Sequence, residues 1–167
     1  DAGDFDIRPY HVVVAQYLMR AYEAHPELYK DGQLKIPESG NGIPDVLDEA
    51  LWSVAGWKAL QNADGSVQSG VESWAHPRGY YFADEDKLPY WTHDPLVWHT
   101  AWTAGLFAQA AYLVEPFDAV RASELKAAAR KAYKYGVYNG AVDRYLLYGA
   151  SELYRLTEEP NFATDFG

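Results

Sequence analysis

From Leu96 to Val114 the chain carries no Asp, Glu, Lys or Arg. A surface helix needs a polar stripe facing water, and a helix without one must be surrounded. The pattern predicts a helix over residues 95–114 that is buried nearly all round. Whatever the chain folds into, other elements have to cover that helix.

Four further segments carry helical periodicity. Over residues 9–25, Val14, Leu18, Ala21 and Tyr22 recur at helical spacing, while Gln16, Arg20 and Glu23 share another face. Pro9 suits a first turn and Pro26 ends the pattern. Asp31-Gly32 is a turn, and residues 36–42 form a loop punctuated by Gly and Pro. A second helix is predicted over residues 44–61, with Val46, Leu47, Ala50, Leu51, Val54 and Leu60 on its buried side. Asp45, Asp48 and Glu49 fall in its first turns, where the macrodipole favours anions. Residues 119–135 form a helix whose Lys126, Arg130 and Lys134 make a solvated face, and residues 141–156 form another, ended by Glu158-Glu159-Pro160. Residues 67–94 lack helical periodicity and are rich in Gly, Pro and aromatic residues. Loops of this length are functional or disordered, and the aromatic content argues against disorder. The expected fold is all-α: one domain of about five helices, layered in an array, with one long irregular loop over one end.

Composition narrows the function. The net charge is −10, from 14 basic and 24 acidic residues. That opposes nucleic acid, which requires cationic neutralisation of phosphates, and it opposes anionic membrane surfaces. No apolar run approaches the ~20 residues of a transmembrane helix. The chain has no Cys, which excludes a disulfide framework and a thiolate zinc site and leaves the compartment open, secreted or periplasmic included. Aromatic residues make up 16%, with 6 Trp and 14 Tyr. They suit a core and equally suit stacking on pyranose rings. The chain begins at Asp1 inside what reads as a motif, so a processed chain or a fragment is expected.

That motif is Asp1-Ala2-Gly3-Asp4-Phe5-Asp6. Gly3 permits a sharp turn that aims Asp1 and Asp4 into one space. Two close carboxylates raise each other's pKa, and one of them can deprotonate a water. The same residues are equally at home in a turn, and Asp4 or Asp6 suits a helix cap.

Taken with Glu38-Ser39-Gly40-Asn41-Gly42-Ile43-Pro44-Asp45-Val46-Leu47-Asp48-Glu49, Asp1-Ala2-Gly3-Asp4 resembles the N-terminal half of the catalytic domain of glycoside hydrolase family 9, mostly cellulases. Thr103-Ala104 and Phe107-Ala108-Gln109-Ala110 resemble the family's alanine-rich barrel helix. The segment from Tyr138 to Tyr154 resembles its Asp-Glu-Leu helix. The resemblance implies an (α/α)6 barrel, a six-hairpin toroid of twelve helices, of which this chain would be the first half. It implies hydrolysis of β-1,4-glycosidic bonds by inversion, with Asp4 as the base and Asp1 helping to hold the water. The acid would be a Glu outside the chain, since neither Glu38 nor Glu72 matches it, and the chain alone is expected to be inactive. Tyr135 and Tyr138 match aromatic positions lining the sugar cleft, and helix-end core tyrosines remain the alternative. Calcium, bound in some members, would fall to Asn139, Gly140, Asp143 and Arg144, where a guanidinium replaces a carboxylate ligand. The structural zinc of other members lacks its Cys here, with His76 and His93 as remnants. Trp74, His76 and Arg78 lie in a loop unlike that of typical cellulases and are read as a wall of the sugar site, with a platform and two hydrogen-bond donors. The partner is a β-linked oligo- or polysaccharide. An exo-β-glucosaminidase on chitosan oligosaccharides and a non-catalytic carbohydrate-binding helical module are the alternatives.

Overall fold

The structure is a computed structural model and describes residues 10–73, 79, 82, 85 and 87–164. Among the described residues it contains α1 (Tyr10–Ala24), α2 (Asp45–Ala59), α3 (Val97–Val114), α4 (Ala119–Tyr138), α5 (Asp143–Thr157) and a short α6 (Pro160–Thr164). A 3-10 turn at Pro26–Leu28 follows α1, and two short strands, β1 (Val71–Ser73) and β2 (Tyr90–Thr92), lie between α2 and α3. The expected helices are present with ends shifted by a few residues. α6 was not expected: Pro160, read as a stop, instead opens a new helix, where its missing N–H costs nothing. α5 closes on Glu158 in the left-handed region at φ 57°.

The uncharged run behaves as its composition demands. α3 is buried along nearly its whole length, with Tyr112 its one large apolar residue in solvent, 42% exposed. α4 and α5 pack most extensively against it, and α1 and α2 complete its surround. The approach to α5 is close at Gly105, where a Cβ would lie 2.3 Å from the Tyr148 ring. The α2–α3 connection approaches α4 as closely at Gly65, where a Cβ would meet the Lys131 carbonyl oxygen at 2.4 Å.

Side-chain contacts fix the directions of the first five helices. Glu23, near the end of α1, accepts from Gln109 of α3 and from Arg155 near the end of α5. The Arg20 guanidinium lies 5.9 Å from the Tyr148 ring. α1, α3 and α5 therefore run the same way. Arg121 donates to the Leu51 carbonyl at 3.0 Å, Lys58 pairs with Glu124 at 2.6 Å, and Gln61 donates to the Ala128 carbonyl at 3.0 Å. α2 and α4 therefore run together, and Gly136 near the end of α4 packs on Ala101 near the start of α3, so the pair runs opposite to the other three.

Two helix faces are set by packing rather than by spacing. α1 buries Val12, Ala15, Gln16 and Met19, whereas Val14 is 57% and Tyr17 63% exposed. The helix packs on α2 and α3 along the Val12–Met19 line, which rotates Val14 into solvent and Gln16 inward. On α2, Asp45 and Asp48 stand in the first turn as expected, but both are buried rather than facing solvent. Trp57 joins Leu47, Ala50, Leu51 and Val54 in its core face.

Candidate functional site

The shared direction of α1, α3 and α5 gathers their first turns at one end of the array. The two connections that feed α3 and α5, residues 60–96 and 139–142, lie at that end; the connections over residues 25–44 and 115–118 lie at the other.

The long connection is anchored before it departs. Val67 donates its amide to the Thr100 hydroxyl at 3.0 Å, inside the core. The Ser69 hydroxyl donates to the Asp94 carbonyl at 2.7 Å, and the backbones of Ser69, Gly70 and His93 exchange two hydrogen bonds. From this base β1 and β2 rise as an antiparallel ribbon, with Glu72 opposite Trp91. Tyr90 and Trp91 are 56% and 40% exposed. Beneath the ribbon, at the start of α3, His99 is fully buried between Trp57 and Trp98. Neither of its ring nitrogens has a hydrogen-bond partner among the described residues, and burial lowers its pKa to about 4.

Of the predicted site residues, Asp1, Asp4, Trp74, His76 and Arg78 lie outside the described residues. Tyr135 and Tyr138 fall on the last turn of α4, at the same end as the ribbon. Tyr135 is half-buried and Tyr138 is 88% exposed. Together with Asp64, Lys131, Lys134 and Asn139 they line a groove between α4 and the turn that closes α2.

No family model matches the chain. Endoglucanase C of Cellulomonas fimi is 31% identical over 157 residues, which is 80% of this chain and 14% of that protein. A cellulose 1,4-beta-cellobiosidase of Acetivibrio thermocellus is 30% identical over 149 residues, 80% of this chain and 17% of that one. The crystal structure of a metagenome-derived glycoside hydrolase family 9 endoglucanase matches with a TM-score of 0.86 at 30% identity, over 93% of this chain and 32% of that chain. The chain belongs to glycoside hydrolase family 9. Its helices are part of the (α/α)6 barrel that the sequence suggested. This family 9 chain spans less than a fifth of the length of those two curated relatives and about a third of the solved structure.

The corner that would hold calcium in this family 9 chain is poorly furnished for it. Asp143 is the one carboxylate among Asn139, Gly140, Asp143 and Arg144. The Arg144 guanidinium sits 4.8 Å over the Tyr145 ring and donates to its hydroxyl at 3.1 Å. A hard dication takes oxygen ligands, and a cation beside the site repels it. The donor set does not fit the ion.

Sequence reasoning missed two constellations. One joins α1, α3 and α5: Tyr148 donates to Gln109, Gln109 and Arg155 donate to Glu23, and Arg155 pairs with Glu152 at 2.6 Å. Its members are scattered through the chain, and periodicity had placed Glu23 on a polar face. The other is on the ribbon: His93 Nε2 lies 3.0 Å from Glu72 Oε2, and the His93 and Trp91 ring centroids are 4.3 Å apart. The alternation of Trp91, Thr92 and His93 was the available signal, hidden in a segment without visible strand pattern.

Proposed function

We propose that the chain is the N-terminal part of a family 9 catalytic domain that cleaves β-1,4 bonds in cellulose-type glycans by inversion. The carrying observation is the common end of α1, α3 and α5, toward which the aromatic-rich connection and the α4 tyrosines converge. The names of the relatives, an endoglucanase and a cellobiosidase, support the substrate class. In this reading Asp4 takes a proton from the attacking water, Asp1 holds that water, and a Glu from a later part of the barrel protonates the leaving oxygen. An inverting pair stands ~6.5–9.5 Å apart, so that a water fits between base and sugar. Tyr135 and Tyr138 line the cleft, and Trp74, His76 and Arg78 form part of its wall. Val14 and Tyr17 on α1, and Leu147 and Tyr154 on α5, are 42–63% exposed, apolar stripes suited to the helices that would close the ring. The proton donor lies among those later helices, so the 167-residue chain is inactive by itself.

The test is hydrolysis of cello- and chitosan-oligosaccharides by the full-length gene product, with the anomer of the first product read by NMR. The expected product is the α-anomer from cello-oligosaccharides. Asp4→Asn is expected to lower kcat by roughly 10²- to 10⁴-fold, as loss of a general base does. A β-anomer would exclude inversion. A folded protein that binds glycan without cleaving it would make this a binding module.

A further inference from the structure

The β1–β2 ribbon carries a second constellation that the sequence reading of the sugar-site wall did not include. Glu72 and Trp91 are directly opposite in the antiparallel register, so their side chains share one face. His93 follows Trp91 by two residues, which returns its side chain to that same face. The alternation therefore brings three chemically distinct groups together: a carboxylate, an indole and an imidazole. Their geometry is well defined. Glu72 Oε2 lies 3.0 Å from His93 Nε2. The imidazole packs against the indole with centroids 4.3 Å apart and planes inclined by 57°. The His93 backbone is bonded on both sides, donating to Gly70 and accepting from Ser69. The His93 side chain is mostly buried at 18% exposure, while Glu72 keeps 47% and Trp91 40%.

This arrangement fixes the chemistry offered to a ligand. An ionised carboxylate only accepts, so the Nε2 facing Glu72 carries the proton. In the neutral ring, Nδ1, on the edge of the ring away from Glu72, is then an acceptor. A pyranose presents an apolar face of C–H groups ringed by hydroxyls. An exposed indole suits the apolar face, and a fixed acceptor beside it suits one hydroxyl. The carboxylate keeps the imidazole in one tautomer and one orientation, as second partners do for functional histidines.

We propose that the Glu72–Trp91–His93 face of the ribbon is a sugar-binding subsite, with Trp91 as platform, His93 Nδ1 accepting from a sugar hydroxyl, and Glu72 as the positioning residue. The proposal rests on the hydrolase reading above and adds where an outlying sugar of the substrate is held. The ribbon belongs to the connection at the end where α1, α3 and α5 begin, so a chain lying across that end passes it. The subsite contributes binding without touching the bond that breaks.

The experiment uses the full-length gene product with cello-oligosaccharides of increasing length. Trp91→Ala is expected to raise KM for the longer substrates by about 2- to 10-fold, the range of one aromatic contact, with kcat nearly unchanged. His93→Ala is expected to act the same way, and a shortest cleaved substrate that does not reach the ribbon is unaffected. Glu72→Ala should raise KM, while Glu72→Gln, whose amide oxygen still accepts from Nε2, should recover most of it. A merely structural role would not give a KM effect that grows with substrate length and returns with the isostere. If Trp91→Ala fails to fold, Trp91→Tyr and His93→Gln, which keep a flat ring and a polar partner, are compared with Trp91→Leu. Wild-type turnover with KM unchanged in these variants overturns the subsite alone. A full-length protein that neither binds nor cleaves any β-linked oligosaccharide overturns the subsite and the hydrolase reading together.

Discussion

The two ends of the array use their carboxylates differently. At the end where α1 gives way to α2, residues 25–44 form a long connection with little regular structure, and acidic side chains hold it. Asp45 is fully buried and accepts from the amides of Gly32, at 2.9 Å, and Leu34, and from the Ser39 hydroxyl at 3.2 Å. Asp31 accepts from the amides of Gly40 at 2.5 Å and Gly42 at 2.7 Å. Asp118 caps α4 through the Arg121 amide at 2.9 Å. At the opposite end, α3 and α5 begin after Leu96 and Val142 without a side-chain cap. There the connection exposes Tyr90 and Trp91 on a two-stranded ribbon. An irregular backbone is stable when its amides have partners. One end turns buried and half-buried carboxylates onto its own backbone; the other holds its connection with Asp64, Ser69 and Thr100 and still leaves Tyr90, Trp91 and Glu72 facing out.

The comparison breaks first, and most heavily, at Asp45. Burial pushes this carboxyl up, but the amides of Leu34, Gly32 and Gln33 and the Ser39 hydroxyl outweigh it and hold its pKa below 3.8. Asp45→Asn replaces an acceptor-only group by one with two donors among amides that also donate. The expected result is a fall in Tm on the order of 10 °C at pH 7. A folded pKa below the unfolded one gives stability that is present above pH 3.8 and lost as pH falls through the folded value. The difference between wild type and variant therefore shrinks only in strong acid. A Tm change under about 2 °C would mean that the loop is not held by Asp45.

Acid distinguishes the two ends more sharply through His99. Its folded pKa of about 4 lies below the unfolded value of 6.5, so the unfolded state binds the proton more readily. Stability from the neutral ring is complete above pH 6.5 and declines as pH falls toward 4. At pH 4.5 the loss is roughly 2–3 kcal/mol. The ribbon end should therefore loosen before the Asp45 end, as followed by hydrogen exchange of the Val67 and Thr100 amides against those of Leu34 and Gly42. His99→Phe should flatten the stability profile between pH 4 and 6.5. An unchanged slope would assign the acid sensitivity to other groups.

Much of the fold was legible because it depends on local periodicity and charge. The uncharged run of α3 could only be a surrounded helix, and α4 showed its solvated face through Lys126, Arg130 and Lys134. The burial of Asp45 was not legible, since its partners are amides 11 and 13 residues away on a loop that folds back. Periodicity reads a side chain's own helix and cannot see such a return. For the same reason helical spacing groups Val14 with Leu18, Ala21 and Tyr22 although Val14 faces solvent: α1 alone does not say which stripe α2 and α3 will cover. At the candidate site, the tyrosines of α4 were found through family resemblance, whereas Glu72, Trp91 and His93 needed the strand register before they became neighbours.

A smaller effect, of opposite sign, is expected one turn along from Asp45. Asp48 is 3% exposed, and its Oδ1 accepts from Asn41 at 3.2 Å while Oδ2 has no hydrogen-bond partner among the described residues. Burial raises its pKa, Asn41 and Arg121 offset part of that, and Glu38 and Asp31 add to it. A folded pKa above the unfolded one favours the folded state below pH 3.8 and costs stability once pH has risen through it. Asp48→Asn keeps the volume and removes the buried charge, so Tm at pH 7 should rise by about 2–4 °C, with the gain disappearing in acid. A fall in Tm at pH 7 would mean that Asp48 is held by its charge, as Asp45 is.

The smallest effect on stability is expected at Tyr138. Its side chain is 88% exposed on the last turn of α4, so Tyr138→Ala removes little apolar contact. Tm should move by less than about 1 °C. If the ribbon end is the glycan-facing end, the same substitution should still raise KM for cello-oligosaccharides by about 2- to 10-fold in the full-length product, because an exposed ring that stabilises nothing in the free protein is available for a pyranose. Asp45→Asn, measured at a temperature where it remains folded, should leave that KM unchanged. The pair forms a double dissociation: one variant costs stability and spares binding, the other spares stability and costs binding. Equal KM changes in both would mean that the two ends are not separate in function, and that the polar groups holding residues 25–44 also shape the site.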